Sequence, residues 1–346
     1  MPVLAAAAPL YREPAPAVLP EAVLTVEDLT LGLGSGRKLV DTVSFTLRRG
    51  RLLALVGESG SGKSLTALSL LGLLPDPPVR IQSGAIRFAG QDLATLDPAG
   101  WRRIRGAGIA MIFQEPLSAL NPVMTIGRQI GEAVRLHTGL TGRPAEKRVL
   151  ELLDLVRMPD AARRARDYPH RLSGGMRQRV LIAMAMAGRP KILIADEPTT
   201  ALDVTVQADI LDTIADLRAE FGLAVLLISH DLGLVADHAD EVAVMYAGRI
   251  VEQGRSDMVL DWPAHPYTRG LLGARPTGGQ GPLRQRGWPR LAEIGGQAPG
   301  ADAVLSGCSF APRCLAATAA CRSAQPDLRE LARGHRVACI RVGAFE

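Results

Sequence analysis

The chain has 346 residues, 47% of them hydrophobic and only 4% aromatic, a composition that fits a globular protein and excludes a disordered or collagen-like one. Apolar runs such as those at 192–195 and 223–228 are strand-sized, and none approaches the roughly 20 residues that span a bilayer, so no membrane-spanning helix is expected. The 40 Lys+Arg against 35 Asp+Glu give a net charge of +5, but the arginines are scattered or in short pairs such as Arg48-Arg49 and Arg163-Arg164, without interleaved aromatics. That pattern predicts a soluble basic surface, facing anionic lipid or an acidic partner loop, and no nucleic acid.

In chain order, residues 1–20 read as a Pro/Ala-rich tail. They are apolar but lack a basic start, and Pro14, Pro16 and Pro20 follow, so a secretory signal is not expected. Val23-Leu24-Thr25-Val26 and Val43-Ser44-Phe45-Thr46-Leu47 flank a Gly-rich turn at 32–36 and predict an antiparallel hairpin. The apolar run Leu52-Leu53-Ala54-Leu55-Val56 then enters Gly57-Glu58-Ser59-Gly60-Ser61-Gly62-Lys63-Ser64, which is followed by a helical run from Leu65 to Leu71. A G-x-x-x-x-G-K-S block between a buried strand and a helix is a phosphate loop. Its glycines let successive N–H groups turn inward around an anion, and the helix start adds its positive dipole end. Lys63 is expected on the β- and γ-phosphates of ATP and Ser64 on Mg²⁺.

Residues from about 115 to 185 read as a helical insert, with Val149-Leu150-Glu151-Leu152-Leu153-Asp154-Leu155-Val156 at helical spacing. Gln114 stands at the junction of insert and core, where it can touch the metal or the attacking water and move with the insert. Leu172-Ser173-Gly174-Gly175-Met176 places Ser173, Gly174 and Gly175 at a helix start, a second anion site by the same N–H and dipole reasoning. Ile192-Leu193-Ile194-Ala195 is a buried strand that delivers Asp196 to its carboxyl end, where Mg²⁺ would sit, and Glu197 follows to orient or deprotonate water. His230 ends the strand 223–228, where a lone His is usually a satisfied polar residue.

These blocks, in this order over residues 22–262, resemble the ATP-binding cassette (ABC) ATPase family, and Ala201-Leu202-Asp203 resembles its turn after the Walker B strand. The resemblance implies an α/β fold: a P-loop ABC ATPase with a RecA-like core, an antiparallel β subdomain and a helical subdomain, here at 21–262. It implies that Ser173, Gly174 and Gly175 serve the ATP of a partner chain, so that two half-sites close around each nucleotide, that Asp203 belongs to the nucleotide site, and that His230 is the switch histidine whose imidazole contacts the γ-phosphate. It also places Leu33 where the family carries an aromatic residue over adenine, offering apolar surface to a purine face.

Residues 263–346 form a small C-terminal extension with a Gly/Pro-rich linker at 276–289 and every cysteine of the chain: Cys308, Cys314, Cys321 and Cys339. His265-Pro266-Tyr267-Thr268 and Gly307-Cys308-Ser309-Phe310-Ala311-Pro312-Arg313-Cys314 look like the extension of oligopeptide, dipeptide and nickel importer ATPases, and DEPTTALDVTV at 196–206 resembles the first of their two ATPase subunits. That resemblance implies an ATP hydrolase powering solute import, peripheral on the cytoplasmic face of the inner membrane. Its partners would be a second ATPase subunit (a heterodimer), two membrane-spanning permease subunits and an external solute-binding protein. A soluble ABC ATPase acting on nucleic acid or the ribosome is the alternative.

For the cysteines, spaced C-x5-C, C-x6-C and C-x17-C, a disulfide framework is disfavoured in a reducing compartment, and simple packing leaves their concentration in the tail unexplained. A metal site remains, tetrahedral zinc or an iron–sulfur cluster. The family resemblance favours a [4Fe-4S] cluster that holds the tail together.

Overall fold

The computed structural model describes residues 20–34, 36–200, 202–273, 294–300 and 306–342. The expected tail (save Pro20), Ala201 and the 276–289 linker lie outside them.

Twelve strands fall into two sheets among these residues. β1 (Ala22–Leu33), β2 (Lys38–Arg48), β4 (Val79–Phe88) and β5 (Gln91–Asp92) form an antiparallel sheet in the order β2-β1-β4-β5. The hairpin β1–β2 is longer than its apolar alternation alone suggested, because Leu31 and Gly32 continue pairing with both β2 and β4. The larger sheet takes β3 (Leu52–Val56), β6 (Ile109–Ile112), β7 (Ile192–Asp196), β8 (Ala224–Ser229), β9 (Glu241–Tyr246), β10 (Arg249–Arg255), β11 (Arg329–Ala332) and β12 (His335–Val337). Its order is β11-β12-β10-β9-β3-β8-β7-β6.

β3 is central, parallel to β8 on one side and β9 on the other. All five of its residues are buried, the unbroken apolar pattern of a strand covered on both faces. Alternation then divides its side chains. Leu53 and Leu55 pack with the antiparallel sheet, whereas Leu52, Ala54 and Val56 pack with the helical side. The helices Ile126–Thr138 and Gly142–Leu155 contribute Ile126, Ile130, Val134, Val149, Leu152 and Leu153 to that second core, at the spacing the sequence predicted. The parallel strands β3, β6, β7 and β8 present their carboxyl ends on one rim, where ligands collect in such sheets.

The C-terminal extension is fastened into this frame. β12 pairs antiparallel with β10, Glu252 opposite Val337. Glu252 is fully buried and accepts from Ala264 N–H at 2.7 Å on Oε1 and His265 N–H at 3.0 Å on Oε2, with His335 Nε2 2.8 Å from Oε1. Phe310 completes an aromatic cluster, edge-on to Tyr246 at 5.3 Å and tilted against Tyr267 and His265. Each such ring pair adds about 1 kcal/mol beyond its buried area.

His265 makes this junction pH-sensitive. Burial pushes its imidazole down to about 4, with Glu252 opposing, and its Nδ1 accepts from Tyr267 N–H at 3.1 Å, which requires that nitrogen unprotonated. In the unfolded chain a His takes its proton near pH 6.5. Between those values the unfolded state binds more protons, so stability is full above pH 6.5 and is lost as pH falls towards 4, by on the order of 3 kcal/mol across the window. Thermal melts should show this fall, and His265→Asn, which keeps an acceptor for Tyr267 N–H, should flatten it. An equally steep profile in His265→Asn would contradict the assignment.

Candidate functional site

The phosphate loop follows from its glycines. Gly57 has φ 149°, and a Cβ there would stand 2.1 Å from the Met245 carbonyl oxygen on β9, so only glycine allows the loop to leave β3 against that strand. Gly62, at φ 103°, precedes the helix Lys63–Ser69. The Lys63 ammonium donates to the carbonyls of Gly57 at 2.8 Å and Glu58 at 2.9 Å, and approaches Ser61 Oγ at 3.4 Å. Burial lowers its pKa, opposed by the charges of Glu197, Asp196 and Glu58.

Ser64 Oγ donates to Asp196 Oδ1 at 3.2 Å, joining the loop to the end of β7. Burial raises the pKa of Asp196, countered by that hydrogen bond. A hydroxyl and a buried carboxylate meeting at this point, with the Gln114 amide nearby, are oxygen donors of the kind Mg²⁺ takes, so the residues fit the ion.

Glu197 is the meeting point of the remaining groups. Its Oε2 accepts from Gln114 Nε2 at 2.9 Å and from Thr200 Oγ1 at 2.9 Å, and His230 Nδ1 lies 3.4 Å away. Its backbone is left-handed, φ 46°, an unusual conformation for a non-glycine residue, and its N–H donates to Ile228 O on β8 at 3.0 Å. Three side chains thus aim at one carboxylate, which is 18% exposed, while the His230 ring is 65% exposed.

A cavity of about 300 Å³ lies over the loop, lined by Ser59, Gly60, Gly62, Lys63 and Ser64 together with Gln114 and Glu197. Leu39 and Gly248 also line it, as do Pro299 and Gly300 of the extension. Leu33 does not line it. It packs at the margin of the core beneath the antiparallel sheet, so the apolar surface nearest the phosphate loop comes from Leu39.

Ser173, Gly174, Gly175 and Asp203 are absent from the cavity wall. Ser173 caps the helix Gly174–Ala185, its Oγ accepting from Met176 N–H at 3.3 Å. A Cβ on Gly174 would meet Leu202 at 2.8 Å and one on Gly175 would meet Val206 at 2.4 Å, so the two glycines let the signature turn seat on the Asp203 segment. Asp203 itself caps the helix Val204–Phe221 through Val206 N–H.

Sequence reasoning overlooked three residues: Thr200, Tyr267 and Arg313. The Thr199-Thr200 pair beside Glu197 was a signal for the first. Glu58, expected at the nucleotide, instead spends its carboxylate on Arg313 and its N–H on Tyr267 Oη at 2.8 Å. The four cysteines are free thiols that line a single cavity with His265, Phe310 and Arg341. Burial raises the pKa of Cys308, Cys314 and Cys339, and the Thr318 hydroxyl lowers that of Cys321. Among the described residues no group of three or more His, Cys, Asp or Glu side chains is set to hold a metal ion, and no helix is long and apolar enough to cross a membrane.

A family model described as "ABC transporter" matches residues 40–200, and one described as "Oligopeptide/dipeptide transporter, C-terminal region" matches 251–321. A Brucella abortus protein named for peptide import and ATP binding is 57% identical over 83% of this chain and 84% of its own length. One of the same description from Brucella ovis is 51% identical over 87% and 91%. Among solved structures, cbiO1 of Clostridium perfringens, part of the ABC transporter complex cbiONQ, superposes with a TM-score of 0.62 at 26% identity, over 70% of this chain and 91% of its own. The cassette MJ0796, in a dimeric post-hydrolysis state with ADP and phosphate, has a TM-score of 0.60 at 26% identity over 67% and 98%. With the phosphate loop, Asp196, Glu197 and the signature turn all in place on this fold, the chain belongs to the ABC ATPases, in the group that carries the oligopeptide/dipeptide transporter C-terminal region.

Proposed function

We propose that the chain is the ATP-hydrolysing subunit of an importer for peptides, bound to the cytoplasmic face of the inner membrane through two membrane-spanning permease subunits. A second, different ATPase subunit completes the dimer, and an external solute-binding protein delivers the peptide. The observation that carries this reading is the pairing of a complete hydrolytic carboxylate site with an extension of the oligopeptide/dipeptide type, in a chain whose relatives are named for peptide import. The same pairing disfavours a soluble ATPase acting on nucleic acid or the ribosome. A tag on this chain should bring down from membranes an assembly with both permease subunits, and deletion of its gene should abolish uptake of labelled di- to oligopeptides. A chain that purifies alone, with peptide uptake intact in the deletion strain, would contradict the reading.

The geometry performs the reaction in steps that fall to named residues. Lys63 exchanges its bonds to the Gly57 and Glu58 carbonyls for the β- and γ-phosphates of ATP, and Ser64, Asp196 and Gln114 would hold Mg²⁺ through oxygen. That ion, when bound, neutralises charge that builds up on the phosphates. Glu197 orients the attacking water and draws off its proton, with Gln114 and Thr200 fixing the carboxylate. His230 reaches the γ-phosphate from the end of β8. Ser173, Gly174 and Gly175 read the γ-phosphate on the partner chain, with Asp203 beside the shared boundary. Closure of the two half-sites moves the helical insert at Gln114, and that motion pulls on the permease.

The cysteine pocket extends the proposal. Cys308, Cys314, Cys321 and Cys339 line one cavity but are not grouped there to hold a metal ion, so a [4Fe-4S] cluster, favoured over zinc, rests on donor type and the family resemblance alone. These residues would hold it, and it would supply a covalent tie across a loop-rich tail. Anaerobically purified protein should be brown and carry about four irons per chain. A colourless protein with one zinc per chain would replace the cluster with zinc, and one with neither metal would leave the thiols as packing groups.

A further inference from the structure

Arg313, in the extension, reaches across 255 residues of sequence to the phosphate loop. Its guanidinium has five N–H donors, and the structure supplies an acceptor for each. Nη1 donates to Glu58 Oε2 at 2.7 Å and to Tyr246 Oη at 3.4 Å. Nη2 donates to Glu58 Oε1 at 3.0 Å and to the Ile294 carbonyl at 3.1 Å, and Nε donates to the Gly295 carbonyl at 3.0 Å. The side chain is 6% exposed. Few surface ion pairs are held this way, since a bidentate pair out of water is both strong and geometrically specific.

Each set of bonds leads to the nucleotide cavity. Glu58 is the second residue of the phosphate loop, its carbonyl holds Lys63, and its N–H is fixed by Tyr267. The two backbone acceptors, the Ile294 and Gly295 carbonyls, open the segment 294–300, whose Pro299 and Gly300 line the cavity together with Gln114 and Glu197. Nothing in the signature blocks of an ABC ATPase requires such a residue, because those blocks end well before the extension begins.

We propose that Arg313 is a positioning residue for ATP: it fixes the phosphate loop through Glu58 and, with the same guanidinium, holds the 294–300 segment as an additional wall of the nucleotide cavity. The C-terminal extension is then part of the ATP site of its own chain and not a separate appendage. Since Arg313 touches neither the γ-phosphate nor the water, its loss weakens ground-state and transition-state binding alike. That predicts a change in KM with little change in kcat.

The test uses the full chain, with Mg-ATP binding measured by calorimetry, thermal unfolding measured without nucleotide, and ATPase kinetics measured in the assembled transporter. Arg313→Lys keeps a charge for Glu58 but cannot also reach both carbonyls, and Glu58→Gln breaks the ion pair from the loop side. Each should raise the Kd and KM for Mg-ATP about tenfold with kcat within about twofold, and the double variant should be no worse than the worse single one. Lys63→Ala serves as the reference for the ATP site. If Lys63→Ala loses ATP and both other variants bind it as wild type does, the proposal is wrong and the ATP site stands. If Lys63→Ala also binds normally, the site itself is misplaced. An equal fall in kcat, or a lowered melting temperature with unchanged Kd, would reduce Arg313 to a structural strut and overturn the proposal.

Discussion

Glu197→Gln should bind Mg-ATP within about twofold of wild type and lose hydrolysis by roughly 100-fold to 10,000-fold, the range general-base removal produces. The amide keeps the shape of the carboxylate, and its oxygen can still accept from Gln114 and Thr200, which now donate to Oε2. What it cannot do is take a proton from water. The left-handed backbone at Glu197 is also undisturbed, because Gln bears the same Cβ and pays no more to sit at φ 46°. Lys63→Ala should differ in kind, weakening nucleotide binding itself by roughly 100-fold, since a charge-assisted contact to two phosphates goes with it. Phosphate release and calorimetry on the two variants separate these outcomes. Wild-type turnover by Glu197→Gln in the assembled transporter would remove Glu197 from the chemistry.

A comparably large effect is expected from Ser173→Ala, at a different place. The signature turn is absent from the wall of this chain's own cavity, so its helix start is free for a nucleotide held elsewhere. In a dimer whose partner phosphate loop has been disabled, only the Lys63 site works, and Ser173→Ala should leave that activity within about twofold. In a dimer carrying Lys63→Ala, only the partner's site works, and Ser173→Ala should cost it about 100-fold, as loss of a preorganised anion-site donor does. Replacing the cap also costs the helix about 1 kcal/mol, so a melting curve accompanies each rate. The reverse pattern, loss at the Lys63 site alone, would place the signature turn on this chain's own nucleotide.

The parts of this protein that sequence made legible are those whose signals are local. A strand buried on both faces reads as Leu52-Leu53-Ala54-Leu55-Val56, and the loop that leaves it must contain glycine where a Cβ would strike Met245. A carboxylate at the end of the β7 run and a polar residue at the end of β8 fall on the same rim because parallel strands bring carboxyl ends together. Hence Lys63, Asp196, Glu197 and His230 could be named together without coordinates. Gln114 needed the motif context, since a single Gln carries no periodicity.

What escaped is tertiary. The motif resemblance places Leu33 at the position that faces adenine in the family, whereas β1 and β2 pair with register shifts at Leu29, Leu31 and Gly32 and it is Leu39 on the second strand that lines the cavity. A shift of this kind leaves no trace in composition. Glu58 looked like one more residue of a phosphate loop, yet its partner lies in the extension, beyond a linker, and pairs by charge and shape with no spacing rule to announce it. The same holds for β12, a three-residue strand too short for alternation to reveal, which nevertheless joins the main sheet beside β10 and sets His335 on the buried Glu252.

The central claim, that ATP hydrolysis at Glu197 drives peptide import, is tested most directly by uptake of a labelled peptide into proteoliposomes holding the assembled transporter, with Mg-ATP on the side of this chain and the solute-binding protein on the other. Uptake should require ATP, proceed with the wild-type chain and stop with Glu197→Gln while ATP stays bound. Uptake that continues with Glu197→Gln, or steady ATP hydrolysis by the wild-type assembly with no peptide entering, would contradict it.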